Sequence, residues 1–74
     1  LTAPDATPTM TPADVSAWVA DMKAKRIAAI DAECARLLGM HPNSIAAMKQ
    51  RGADRRTALA CRALVHLMEP YKAR

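Results

Sequence analysis

The residues able to do chemistry crowd into one stretch of this chain. Between positions 36 and 62 stand Arg36, Lys49, Arg51, Arg55, Arg56 and Arg62, with Asp54 the lone acid, a local balance of +5. The remainder holds five basic and six acidic side chains, so the net charge of +4 is one positive block and not a diffuse excess. Such a block suits a polyanion, because phosphate neutralisation by Lys and Arg dominates nucleic-acid affinity. A plain solvated basic face would carry the same charges. Within the block, Asn43 and Gln50 bear side-chain amides, a group that pairs bidentately with the adenine edge. The other reactive types offer less. Cys34, His41, Cys61 and His66 lack the paired ligand spacing of a metal site, and a Cys–His nucleophile needs a cleft that short helices hardly supply. No enzyme activity, cofactor, metal or small-molecule substrate is expected.

The elements that must position these groups are helices. Seventy-four residues make one domain, and a domain this small buries only about 60% of its unfolded surface. The chain is 51% hydrophobic, enough for a folded core, yet it has no Phe, one Trp and one Tyr. Its apolar bulk is Ala, Leu, Ile, Val and Met. Strand-favouring residues are sparse and helix-favouring ones abundant, so an all-α fold is expected. Cys34 and Cys61 sit among apolar neighbours and read as buried reduced thiols, not a disulfide framework. No apolar run reaches the ~18 residues of a membrane span. The start has neither the basic nor the apolar region of a secretory signal, and a cytoplasmic location is expected.

Residues 1–10, with Pro4, Pro8 and three Thr, read as a flexible tail, and residues 11–74 as the domain. The tail holds Asp5 and no Lys or Arg, which argues against a minor-groove arm. Thr11 can cap a first helix with Pro12 at its first position and Asp14 as the returning acid. Val15, Trp18, Val19 and Met22 give that helix one apolar stripe, and it should end near Lys25 or Arg26. A second short helix follows, with Asp31 as N-cap and Gly39 just past its end. Pro42 opens a third helix over 42–50, with His41 at its N-cap, closed by Gly52. The fourth runs from about Asp54 to Glu69 and stops at Pro70. Its Ala58, Cys61, Leu64, Val65 and Met68 form a core side, widened by Leu59, Ala63 and Leu67.

Residues 31–50 meet the demands of two helices crossing steeply through a short turn. A small residue belongs where the helices touch, and Ala35 is there. Left-handed geometry is needed at the turn, and Gly39 stands four positions on. Apolar anchors flank it: Cys34 and Leu38 before, Met40 within, Ile45 and Met48 after. The stretch Cys34 to Gly52, CARLLGMHPNSIAAMKQRG, resembles the phage repressor and Cro-type (lambda-repressor-like) helix-turn-helix family. Many of its members read Ala-x-Leu-Leu-Gly-Val-Ser-x-x-x-Val-x-x-Trp-x-x-Gly. His41 departs from the Ser or Thr that usually caps the second helix, and Met48 from the frequent Trp. The resemblance implies sequence-specific binding of double-stranded DNA, usually by a dimer, and commonly transcriptional repression.

In such an arrangement the second helix of the pair enters the major groove with its N-terminal residues at base edges. With Ile45 and Met48 turned inward, base contacts fall to His41, Pro42, Asn43, Ser44, Ala46, Ala47 and Gln50. Arg36, Lys49, Arg51, Arg55 and Arg56 are placed for phosphates. Leu59, Ala63 and Leu67 recur every four residues and are expected to join two copies in a homodimer. The alternative readings are a DNA-packaging or recombination accessory protein, or a protein-interaction module such as an adaptor or antitoxin, working through the apolar face of the last helix.

Overall fold

The first helix opens because its first four residues satisfy one another. The Thr11 hydroxyl accepts from the Asp14 N–H at 3.1 Å, the Asp14 carboxylate accepts from the Thr11 N–H at 3.0 Å, and Pro12 supplies a preset φ. The computed structural model describes residues 9–73 as an all-α arrangement of four helices: α1 (Pro12–Ala24), α2 (Asp31–Leu37), α3 (Ser44–Arg51) and α4 (Arg55–Val65). Among the described residues the only strand-like pairing is a single antiparallel bridge, Met10 with Ala53. No described helix is long and apolar enough to cross a membrane.

The stripe on α1 organises the rest. Val15, Trp18, Val19 and Met22 are all buried, and α1 packs against α2, α3 and α4 in turn. Cys34 and Ala35 from α2, Ile45 and Met48 from α3, and Cys61 from α4 complete the centre of the core, with Ala28 and Ala53 from the loops. The Trp18 indole N–H donates to the Cys61 carbonyl at 3.0 Å, so the one buried polar group of the aromatic core ties α1 to α4.

Three helices close with the same pair of hydrogen bonds around a left-handed residue. In α1 the Arg26 and Ile27 N–H groups donate to Lys23 and Met22; in α2 Gly39 and Met40 donate to Arg36 and Ala35; in α4 Leu67 and Met68 donate to Leu64 and Ala63. The left-handed residues are Arg26 (φ 59°), Gly39 (φ 75°) and Leu67 (φ 58°). Glycine is the residue that adopts this geometry without strain, and here it fills one of the three positions. This device ends α1 where it was expected, although no Gly or Pro marks the spot.

It also corrects the fourth helix. The helix stops at Val65, not Glu69, because Leu67 turns left-handed three residues before Pro70. Met68, expected in the core, is 62% exposed beyond the helix. Asp31 is the first residue of α2 and not its cap; Ile30 occupies the cap position, and the Glu33 carboxylate accepts from the Ala29 N–H at 2.8 Å. The third helix begins at Ser44, two residues after Pro42, and runs through Arg51. Thr9 and Met10, read as the end of a flexible tail, are held by N–H bonds to the Ala53 carbonyl, and the Met10 side chain joins the core. The rest of that tail, residues 1–8, lies outside the described residues.

Both thiols are free and buried. Burial pushes the Cys34 thiol above its ordinary range and that of Cys61 up to about 12, so neither supplies thiolate near neutrality. A disulfide-exchange reagent at pH 8 should therefore label both only as the domain unfolds, with a rate that rises with denaturant alongside unfolding. Complete labelling within seconds in native buffer would contradict this burial.

Candidate nucleic-acid interface

The α2–α3 unit is built from its contact outward. Ala35 of α2 is fully buried, and Cys34 beside it is equally sealed. Two turns of packing residues follow: Leu38 and Met40 are half-buried against the core, and Ile45 and Met48 lie within it. Of the seven residues singled out for this unit, Cys34, Ala35, Ile45 and Met48 are buried, Leu38 and Met40 are half-buried, and Gly39 has a φ of 75°.

The segment between the helices is fixed by backbone and by one unexpected side chain. The Met40 N–H reaches back to the Ala35 carbonyl at 2.9 Å, closing α2 around Gly39. Then the His41 ring accepts the Asn43 N–H at its Nδ1, 3.1 Å away, and the His41 carbonyl accepts from Ser44 at 2.9 Å. The cap residue of α3 is Asn43, whose own side chain makes no capping bond. His41 thus fixes the turn by accepting the N–H of the cap residue itself, whereas a Ser or Thr cap accepts from the second or third helical residue.

The outward face of α3 is small and polar. Ala46, Ala47 and Gln50 are exposed, as are His41, Pro42 and Asn43 in the preceding turn, while Ser44 is half-buried. Of the seven residues expected at base edges, His41, Pro42 and Asn43 precede the helix instead of belonging to it. A face of two alanines and one amide leaves no bulky obstruction, which is the shape that permits close approach to a flat or grooved surface.

The basic residues divide into two groups. Arg36 on α2, Arg51 at the end of α3 and Arg55 at the start of α4 are exposed and form no ion pair among the described residues. Arg56 is 93% exposed and touches Asp54 only at 3.4 Å. Asp54 itself caps α4, accepting the Thr57 N–H at 2.9 Å, and this bond holds its carboxyl below the usual range. Lys49 belongs elsewhere. It follows Ile45 by four residues, hence on the inner side of α3, and its ammonium lies 2.7 Å from Asp31 Oδ2. The other oxygen of Asp31 binds Lys23 of α1 at 3.0 Å. The two ammonium groups, Lys49 foremost, hold the Asp31 carboxyl below the usual range. Sequence spacing missed this cluster, since its members lie 8 and 18 residues from Asp31.

A shallow groove of about 390 Å³ between α1 and α4 is floored by Met10, Trp18, Ala58 and Val65 and rimmed by Asp14, Arg62 and His66. No three His, Cys, Asp or Glu residues among those described gather to hold a metal. Leu59 is 57% exposed and Ala63 half-buried on α4, but Leu67, 76% exposed, has left the helix and does not continue their row. A second groove of about 260 Å³ beside them is lined by Leu37, Leu38, Ala60, Ala63, Leu64 and Met68. Comparison with family models, curated proteins and solved structures found no match.

Proposed function

We propose that this chain is a double-stranded DNA-binding protein of helix-turn-helix type, a transcription regulator that reads the major groove with α3. The observation that carries the reading is the two-sided construction of α3. Its Ile45 and Met48 are locked in the core, while Ala46, Ala47, Gln50 and the preceding Asn43 are exposed, as are Arg36, Arg51 and Arg55, which form no ion pair among the described residues. Small residues let a helix sit deep in a groove, the amides of Asn43 and Gln50 match adenine, and an alanine packs on a thymine methyl. The flanking arginines reach phosphates, which set register and carry most of the affinity. Lys49 is left out of that set because Asp31 holds it.

The test is duplex binding measured across a salt series. Log affinity should fall linearly with log salt, and Arg55→Ala and Arg56→Ala should each flatten the slope by about 0.9. Both should weaken specific and random duplexes equally. Gln50→Ala should instead cost about 1–3 kcal/mol on a selected site and little on random DNA. No salt-dependent affinity for any duplex would overturn the reading.

A homodimer through the C-terminal end of α4 is part of the same proposal. Leu59, Leu67, Met68 and Tyr71 are 57%, 76%, 62% and 94% exposed, apolar side chains near the end of the chain that a second copy would cover. Two copies related by a two-fold axis would set their α3 helices about 34 Å apart on an inverted repeat. Sedimentation of the complex should give two chains per site. One chain per site removes the dimer and leaves these side chains to a protein partner, the adaptor reading.

A further inference from the structure

We propose that Asp31 is an internal competitor for nucleic-acid phosphate, which keeps Lys23 and Lys49 out of the sequence-independent attraction to DNA. The inference rests on the reading of α3 as the groove helix. One carboxylate engages two ammonium groups from two different helices, Oδ1 with Lys23 at 3.0 Å and Oδ2 with Lys49 at 2.7 Å. A phosphate presents the same pair of anionic oxygens, so the two lysines form a phosphate clamp already occupied by the protein's own acid. The cluster is open to an outside anion. The side chains of Lys23, Asp31 and Lys49 are 45%, 38% and 36% exposed, and ion pairs so exposed contribute little to folding.

Lys49 lies on the helix proposed to enter the groove, at its edge nearest α1 and α2, where the strand backbones run past. To bind a phosphate there, either lysine must first release Asp31. The cluster therefore meets DNA with both ammonium groups already engaged by Asp31. By contrast Arg36, Arg51 and Arg55 hold no such partner among the described residues and are free to act at once. Because phosphate contacts carry no sequence information, withholding two of them lowers the affinity for random DNA while leaving the amides and alanines of α3 to read bases.

The experiment is a salt series on a random-sequence duplex with the parent, Asp31→Asn, Lys49→Met and the Asp31→Asn/Lys49→Met double variant. Asp31→Asn should bind on the order of ten-fold more tightly at low salt and steepen the slope by up to about 1.8, near 0.9 for each freed lysine. In the parent, Lys49→Met should leave the slope unchanged; in the Asp31→Asn background it should remove about half of the gain. A parent slope that falls by about 0.9 on Lys49→Met, with no response to Asp31→Asn, overturns the proposal. If Asp31→Asn melts below the assay temperature, the Lys49→Met result in the parent decides alone. A parent that binds with a salt slope but fails these comparisons sinks only the role of Asp31. A parent without salt-dependent binding sinks the DNA reading itself.

Discussion

Trp18→Ala leaves the domain unfolded at room temperature. The indole is 5% exposed at the meeting of α1 and α4, and truncating a buried Trp costs about 3–5 kcal/mol. A single small domain holds only about 5 kcal/mol in total, so the loss is comparable to the whole stability. Two effects contribute, and a second variant separates them. Trp18→Phe keeps most of the apolar volume but deletes the N–H that reaches the Cys61 carbonyl at 3.0 Å. That loss is worth about 1 kcal/mol, or a melting point lowered by roughly 4–8 °C. Circular dichroism melts of the two variants check both figures. A Trp18→Ala protein that melts cooperatively within a few degrees of the parent would show that the α1–α4 contact is not central to the core.

Much of this core is legible in the sequence because its signals are local. The Val15, Trp18, Val19 and Met22 spacing fits one helix face, and all four are buried. Thr11 and Asp14 form the cap their spacing implies, because both hydrogen bonds lie within four residues. The α2–α3 anchors are equally readable from apolar type and interval. What was not legible has nonlocal or conformational causes. A left-handed Leu67 costs strain that composition cannot announce, so α4 looked four residues longer than it is. Its early end dissolved the Leu59–Ala63–Leu67 row on which an expected interface was drawn. His41 holds the turn before α3 by accepting the Asn43 N–H on its ring nitrogen, an acceptor role that residue type alone does not favour. The Lys23–Asp31–Lys49 cluster needs three helices in place before its charges meet, so Lys49 read as a free cation.

Gly39→Val should lower stability by about 2–3 kcal/mol, whereas Leu67→Gly should leave it unchanged or raise it slightly. The two positions do the same work. Each is the left-handed residue just past a helix, with φ of 75° at Gly39 and 58° at Leu67, and each closes its helix with the same pair of hydrogen bonds. At Gly39 a Cβ would meet no atom within 4 Å, so the penalty is backbone strain and not collision. Strain in this region costs an ordinary side chain about 1–2 kcal/mol and a β-branched one more. Gly39→Ala should accordingly fall between the parent and Gly39→Val. At Leu67 the same strain is already present, and glycine relieves it. Greater freedom of the unfolded chain takes back about 0.4–1 kcal/mol, and the side chain is too exposed to lose much packing. Arg26→Gly, at φ 59° and also exposed, is the matching control on α1. Melts of the four variants should therefore order as Gly39→Val, Gly39→Ala, parent, then the two glycine substitutions at or above it. If Gly39→Val melts within a degree of the parent, α2 does not end in a left-handed turn there. The path from Ala35 to Ile45, and with it the placement of α3, would then have to be redrawn.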